Sequence, residues 1–228
     1  MSKKYVFGLF GIFLSLMSFG LFASEQTMPL EKAHNDLTDQ ASLQRGAKLF
    51  MNYCSGCHSL KYVRYKGMAQ DIGIVDSDGK VLEQAVKDNL LFTGERITDP
   101  IMTAMPKADA ANWFGIAPPD LSLVARSRSA DWLFTYLRSF YPDSKRPWGV
   151  NNRLFPDVAM PHVLLSLQNQ LSPAEYDASI RDLVNFLVLM GEPKQLERER
   201  LGVWVLIFLG ILLVFSWLLK REYWKDVH

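Results

Sequence analysis

The sequence lacks several features that would point to other classes of protein. It has no internal repeat, no low-complexity linker and no long alternating strand pattern, so that one mostly α domain is expected. No arginine precedes Arg45, which argues against a mitochondrial transit peptide because such segments are rich in arginine. The formal net charge is only +1, which says little about partners, and we expect no nucleic-acid partner.

Both cysteines of the chain lie in the stretch "NYCSGCHSL", residues 52–60, and His58 directly follows the second one. A disulfide needs no histidine, a zinc site needs at least one more strong ligand, and a redox dithiol usually accompanies a βαβ pattern, which is missing here. Covalent attachment of a c-type haem uses all three side chains. The motif therefore predicts one haem c, bound through Cys54 and Cys57, with His58 as an axial iron ligand.

The N-terminus has the pattern of a bacterial export signal. Lys3 and Lys4 precede the apolar stretch 5–22, and small residues follow near Gly20 and Ala23. We therefore expect a signal peptide over residues 1–24, although the position of the cleavage site stays open. A retained N-terminal anchor is the alternative.

A second apolar run, residues 201–219, contains no charge over 19 residues. As a helix it would be about 28 Å long, close to the thickness of the hydrocarbon core of a membrane, so that we expect a transmembrane helix rather than a buried core helix. Basic residues flank the run equally on both sides and therefore do not indicate its orientation. The orientation follows instead from the export signal. We expect a haem domain at residues 25–200 in the periplasm, a single pass through the inner membrane, and a cytoplasmic tail at residues 220–228.

Three helices are predicted within the haem domain. The first runs over residues 42–53, directly into the haem motif, with Ser42 as its cap. Gly46 is unfavourable inside a helix, which indicates the close approach of another helix. The second covers residues 131–140. The third follows the capping box Ser172-Pro173-Ala174-Glu175 and ends near Gly191, while the long proline- and glycine-rich segments between the helices are predicted to wrap the haem.

Spacing leaves several candidates for the sixth iron ligand. Met160 and Met105 lie in loops, and each is followed by a proline that keeps the backbone extended. His162 would instead give a bis-histidine site. Spacing favours Met160 but leaves open Met105 and His162, as well as Met68, Met102 and an open site.

Several motifs together resemble the bacterial form of the cytochrome c1 family. They are "CSGCHSLKYVRY" (54–65), "APPDLSLVARSR" (117–128), "RPWGVNNRLFPDVAMPHVL" (146–164), "LERERLGVWVLIFL" and the tail "KREYWKDVH". The resemblance implies a class I cytochrome c-like fold with long loops, and it implies Met160 as the sixth ligand. The family often has an arginine before the Pro-Pro-Asp-Leu-Ser element, where this sequence has only Lys107.

The resemblance also implies a function and partners. The protein would relay single electrons from a Rieske iron–sulfur protein to a soluble cytochrome c, beside cytochrome b in a quinol-oxidising respiratory complex. It would be no enzyme on its own. Two alternatives are a haem peroxidase or nitrite reductase, which usually needs an open iron site and a second haem, and a tethered electron donor of another dehydrogenase or terminal oxidase.

Overall fold

The structure is a computed structural model that describes residues 28–226. The predicted signal peptide and the last two residues of the predicted tail lie outside the described residues. The helices in the described part are α1 (Gln40–Leu49), α2 (Tyr65–Asp71), α3 (Glu83–Asn89), α4 (Lys107–Phe114), α5 (Val124–Arg128), α6 (Ala130–Arg138), α7 (Leu165–Gln170), α8 (Pro173–Gly191) and α9 (Gln195–Tyr223). The mostly α fold is thus confirmed.

Strands are short in the described residues and form two antiparallel pairs. They are β1 (Leu60–Arg64), which pairs with β2 (Pro100–Ile101), and β3 (Phe140–Pro142), which pairs with β4 (Val150–Asn152). The segments predicted to be loops therefore contain α4 and most of the β3–β4 hairpin. The predicted helix 131–140 is α6, and it ends two residues early because Phe140 begins β3.

The centre of the domain is the packing of α1 against α8. A Cβ atom added at Gly46 would lie only 2.1 Å from the carbonyl oxygen of Asp182, so that no other residue fits between the two backbones. One turn further, Phe50 packs on Phe186 with ring centroids 5.6 Å apart. Arg45 donates two hydrogen bonds to the carboxylate of Asp182, at 2.6 and 3.1 Å. The close helix approach predicted at Gly46 is confirmed.

The helix starts agree with the sequence in one case and differ in another. The capping box before α8 is present: the Ser172 hydroxyl accepts from the Glu175 backbone N–H at 3.4 Å, the Glu175 carboxylate accepts from the Ser172 N–H at 2.9 Å, and Pro173 is the first helical residue. The prediction of Ser42 as the cap of α1 is wrong. Asp39 caps this helix, because its carboxylate accepts from the Ser42 N–H at 2.9 Å.

The segment before α1 is bound to the surface of the helical core. The backbone N–H of Glu31 donates to the Thr135 hydroxyl at 2.8 Å, and that of Ala33 donates to the Asp131 carboxylate at 2.9 Å. Arg181 on α8 donates to the Ala33 carbonyl at 3.0 Å. The chain is therefore packed on the helical core from Glu31 onward.

The helix α9 contains the whole apolar run at residues 201–219. It has 29 residues, about 43 Å in length, and within the described residues it alone is long and apolar enough to cross a membrane. None of its residues is buried against the haem domain. The alternative of a buried core helix is therefore wrong.

Candidate functional site

The predicted haem residues meet at one cavity of about 330 Å³, within the range of about 300–1,000 Å³ that is usual for ligand sites. Cys54, Cys57, His58 and Met160 all line it. Most of the remaining lining is apolar or aromatic and comes from five parts of the chain: Tyr53, Phe114, Ile116, Pro118, Pro119, Leu121, Val124, Trp132, Leu133, Tyr136, Leu137, Phe155, Val158, Ala159, Pro161, Val163, Leu183 and Leu187. An apolar cavity that contains these four side chains matches the demands of a haem.

The two cysteines reach the cavity through a distortion of the helix. After α1 the chain continues as a single π-helical turn, Phe50–Cys54, a feature often found at functional sites. Both thiols are free, and burial raises the pKa of Cys54 to about 12 and also raises that of Cys57. A reactive redox dithiol needs the opposite shift of the pKa, so that the chemistry of these thiols does not fit that class.

His58 is oriented by a single backbone acceptor. Its Nδ1 lies 2.8 Å from the carbonyl oxygen of Pro119, and because a carbonyl can only accept, Nδ1 must carry a proton. Burial lowers the pKa of His58 below its ordinary value, although the hydrogen bond to Pro119 acts in the opposite sense. The neutral ring therefore has an unprotonated Nε2, the atom needed as an iron ligand.

The Pro-Pro-Asp-Leu-Ser element lies alongside the residues that follow the haem motif. The backbone N–H of Leu121 donates to the Ser59 carbonyl at 2.9 Å, and the carboxylate of Asp120 accepts from the Lys61 N–H at 2.9 Å. These bonds hold Pro119 in place beside His58. The element thus orients the imidazole of His58.

Met160 lies in a loop, residues 153–163, that we call the Met160 loop. Arg146 donates to the carboxylate and to the carbonyl of Asp157, at 3.0 and 2.7 Å. Asp157 has a positive φ of 62°, and its backbone N–H donates to the Asn151 side chain at 2.9 Å. The loop is therefore shaped by side chains that lie outside it.

A second buried amide completes the support of this loop. The side-chain oxygen of Asn152 accepts from the backbone N–H groups of Leu154 and Phe155, at 2.9 and 3.0 Å. Its side-chain nitrogen donates to the carbonyl of Tyr136, at the end of α6, at 2.8 Å. Asn152 is only 1% exposed, so that it ties the Met160 loop to α6 without competition from water.

The other candidate ligands do not line the cavity. Met68 is fully buried in the core, while Met102 is 43% exposed. Met105 and His162 are also absent from the lining residues. The His162 ring instead stacks on Phe140, with centroids 4.8 Å apart. Met160 is therefore the candidate sixth ligand that the fold brings to the same cavity as His58.

Sequence reasoning missed the charged group of this cavity. Arg128 lines it and lies 5.2 Å over the ring of Trp132, whereas Lys107 lies at the exposed start of α4 and is not among the lining residues. Arg128 belongs to the motif "APPDLSLVARSR", but nothing in its spacing distinguishes it from Arg126. Only the folded chain shows which of the two faces the cavity.

One apolar cavity is lined by two free, neutral thiols, by a thioether and by an imidazole whose Nε2 is unprotonated. These side chains together define a c-type cytochrome domain. A helix able to cross a membrane follows this domain in the chain.

The comparisons with known proteins agree with this class. The chain belongs to the cytochrome c1 family, because the sequence profile of the Cytochrome C1 family matches residues 31–227. It is 51% identical to the cytochrome c1 of Allochromatium vinosum, over 95% of this chain and 97% of that protein. The predicted resemblance is thus confirmed, and with it one covalently bound haem c.

Two further similarities differ in strength. The chain is 43% identical to the ammonia monooxygenase gamma subunit of Nitrosomonas europaea, over 93% of this chain and 95% of that protein. A solved structure described as "Hyperthermophilic respiratory Complex III" matches with 16% identity and a TM-score of 0.47, over 100% of both chains.

Proposed function

We propose that the protein relays single electrons as the haem-bearing subunit of a quinol-oxidising complex of the cytochrome bc1 type. The observation that carries this proposal is the single cavity lined by Cys54, Cys57, His58 and Met160. A bound haem supplies a one-electron redox centre there. The two thiols would hold it covalently, which is consistent with their free state and with the family.

We propose His58 and Met160 as the two axial ligands. His58 offers a neutral Nε2, and Met160 offers a soft thioether, a combination that raises the reduction potential relative to two histidines. If these two side chains held the iron, no coordination site would be left for a substrate. We therefore expect no catalysis by the isolated protein, and the peroxidase and nitrite reductase alternatives lose their support.

Arg128 is proposed as the partner of the haem carboxylates. Its support is a guanidinium among the lining residues of a mostly apolar cavity, because planar guanidinium groups pair well with carboxylates. Lys107 is not proposed for this role, since it does not line the cavity.

For the membrane arrangement, we propose that residues 1–24 are an export signal and that residues 25–200 form a periplasmic domain. Residues 201–219, inside α9, would span the bacterial inner membrane once, with residues 220–228 in the cytoplasm. The exposed apolar surface of α9 supports a membrane or subunit environment for this helix. The orientation depends on the signal peptide.

The proposed partners follow from the family and from the surface around the cavity. Cytochrome b would pack beside α9, a Rieske iron–sulfur protein would donate electrons, and a soluble cytochrome c would accept them. Ile116 and Phe155 line the cavity and are nevertheless 64% and 45% exposed. They form an apolar rim at which a redox partner can approach the haem.

A second candidate function is that of a tethered electron donor for another oxidising enzyme. One observation favours it: the relative from Nitrosomonas europaea is named as a subunit of ammonia monooxygenase. The residues of the cavity serve both functions equally well, because both need only a haem and an anchor. The partners decide between them.

The test is purification of the full chain in mild detergent, followed by mass spectrometry of its partners. We expect a cytochrome b and a Rieske protein in equal amounts. A variant that stops at Arg200 is the matched control, and we expect an exported, soluble, haem-loaded domain without cytochrome b. Recovery of subunits of another dehydrogenase, monooxygenase or terminal oxidase with the full chain would favour the second candidate. Sedimentation of the shortened variant with membranes would indicate a retained N-terminal anchor.

A further inference from the structure

Tyr136, near the end of α6, directs its hydroxyl group toward the sulfur of Met160. Its Oη lies 3.5 Å from Met160 Sδ, and because a thioether sulfur has no hydrogen to donate, the hydroxyl must be the donor. We propose that Tyr136 is a positioning residue for the redox site, which holds the ligand sulfur and tunes its donation to the iron through this hydrogen bond. The inference rests on the proposed role of Met160 as the sixth ligand.

The ring of Tyr136 is held in place by aromatic neighbours. Trp132, one turn earlier on α6, stacks on it with centroids 4.9 Å apart and planes at 10°. Phe140 and Phe155 contact it edge to face, with centroid distances of 5.4 and 6.5 Å. A tyrosine has only two side-chain torsions, so that these contacts determine where its hydroxyl points. The donor is therefore preorganised rather than free to turn to water.

The backbone of Tyr136 is coupled to the same loop as its hydroxyl. Asn152 donates to the Tyr136 carbonyl at 2.8 Å and accepts from the backbone N–H groups of Leu154 and Phe155 in the Met160 loop. The donor and the sulfur are thus joined twice, once through the hydroxyl and once through a buried amide. A displacement of α6 relative to the loop would break both connections together.

The chemical effect of this hydrogen bond has a definite sign. The thioether sulfur has two lone pairs, of which one is needed for the iron and the second can accept the Tyr136 proton. Donation to the second lone pair draws electron density from the sulfur and weakens its donation to the iron. In a haem held by Met160, weaker donation from the sulfur would destabilise the oxidised state relative to the reduced state, so that the reduction potential would rise.

The change Tyr136→Phe tests the hydroxyl alone, because it keeps the ring and its packing. Tyr65→Phe is the matched control: Tyr65 is fully buried and its hydroxyl bonds to the Thr93 side chain at 3.0 Å, but it does not line the cavity. Each full-length, haem-loaded variant is titrated potentiometrically in detergent. Its sulfur-to-iron charge-transfer band is recorded alongside.

We expect Tyr136→Phe to lower the equilibrium constant for reduction by at most about tenfold, because the hydrogen bond is made in both oxidation states and only the difference in its strength counts. The charge-transfer band should shift or weaken, and Tyr65→Phe should leave both properties as in the parent protein. Loss of the band in Tyr136→Phe, with haem still attached, would support the inference in its strongest form. An unchanged potential together with an unchanged band would overturn it.

The same experiment separates this inference from the proposal on which it rests. If Met160→Leu abolishes the band while Tyr136→Phe changes neither the band nor the potential, Met160 remains the proposed ligand and only the role of Tyr136 fails. If Met160→Leu retains the band, the ligand assignment fails, and the role of Tyr136 fails with it.

Discussion

The two candidate iron ligands are placed in the cavity by different means. His58 stands in the same short motif as both cysteines, and one backbone carbonyl orients its ring. Met160 depends on several side chains from elsewhere in the chain, among them Arg146 and Asn152. The proposed attachment site of the haem is thus encoded locally, whereas the position of the proposed sixth ligand depends on the fold.

The largest expected effect concerns the local motif. The double change Cys54→Ala with Cys57→Ala removes both thiols, so that the variant should lose all covalently bound haem, measured as haem stain on a denaturing gel. Met160→Leu is the contrasting variant, and it should keep the stain in full. Stain retained by the double variant would contradict the assignment of the two cysteines.

The second prediction concerns the distal ligand itself. Met160→Leu keeps the approximate volume but removes the sulfur, so that the charge-transfer band should disappear and the reduction potential should fall. The iron should then bind carbon monoxide, which spectroscopy detects directly. Met105→Leu is the control and should leave all three properties unaltered. If Met105→Leu were the variant that lost the band, the distal ligand would come from the earlier loop.

A third prediction concerns the packing of α1 against α8, the scaffold that the haem attachment motif and the Met160 loop share. Gly46→Ala places a methyl group 2.1 Å from the Asp182 carbonyl, so that α1 and α8 must separate, and we expect a loss of about 3 kcal/mol of unfolding free energy. Chemical denaturation of the domain ending at Arg200 measures it. Gly67→Ala is the control in another helix, since nothing lies within 4 Å of its added Cβ. Equal stability of the two variants would contradict the close packing.

The smallest expected effect concerns Asn152, which supports the Met160 loop but not the haem attachment motif. Asn152→Ala removes three hydrogen bonds of a buried amide and should cost about 2 kcal/mol, which is concentrated in the Met160 loop. We expect a weakened charge-transfer band but normal haem attachment. The exposed Asn169→Ala should change neither. A defect in haem attachment in Asn152→Ala would show that the haem attachment motif and the Met160 loop are not independent.

Much of the scaffold could be predicted because it depends on short-range rules. The capping box at Ser172 and the close approach of another helix at Gly46 follow from neighbouring residues and from helix geometry. The error at Ser42 has the same origin, because serine and aspartate both cap helices well, and the local rule does not rank Ser42 against Asp39 three residues earlier. In the structure it is Asp39 that accepts the hydrogen bond.

The segments between the helices were harder to predict, because their structure is determined by contacts with distant residues. The β3–β4 hairpin has only three residues in each strand, too few for a recognisable alternating pattern. The sequence around Arg128 and Tyr136 likewise gives no sign of the roles that we propose for them. Their importance comes from the cavity that they line.

The sequence alone determined the haem chemistry and the membrane helix. Two thiols and an imidazole within five consecutive residues are held together by the chain itself, and an uncharged run of 19 residues has the length of a membrane span whatever surrounds it. Only the tertiary structure decided the tautomer of His58, the charged group of the cavity and the contacts that bring Met160 to it. These depend on residues far apart in the sequence, which meet only because α1 and α6 pack on α8 and bring the loops between them to one cavity.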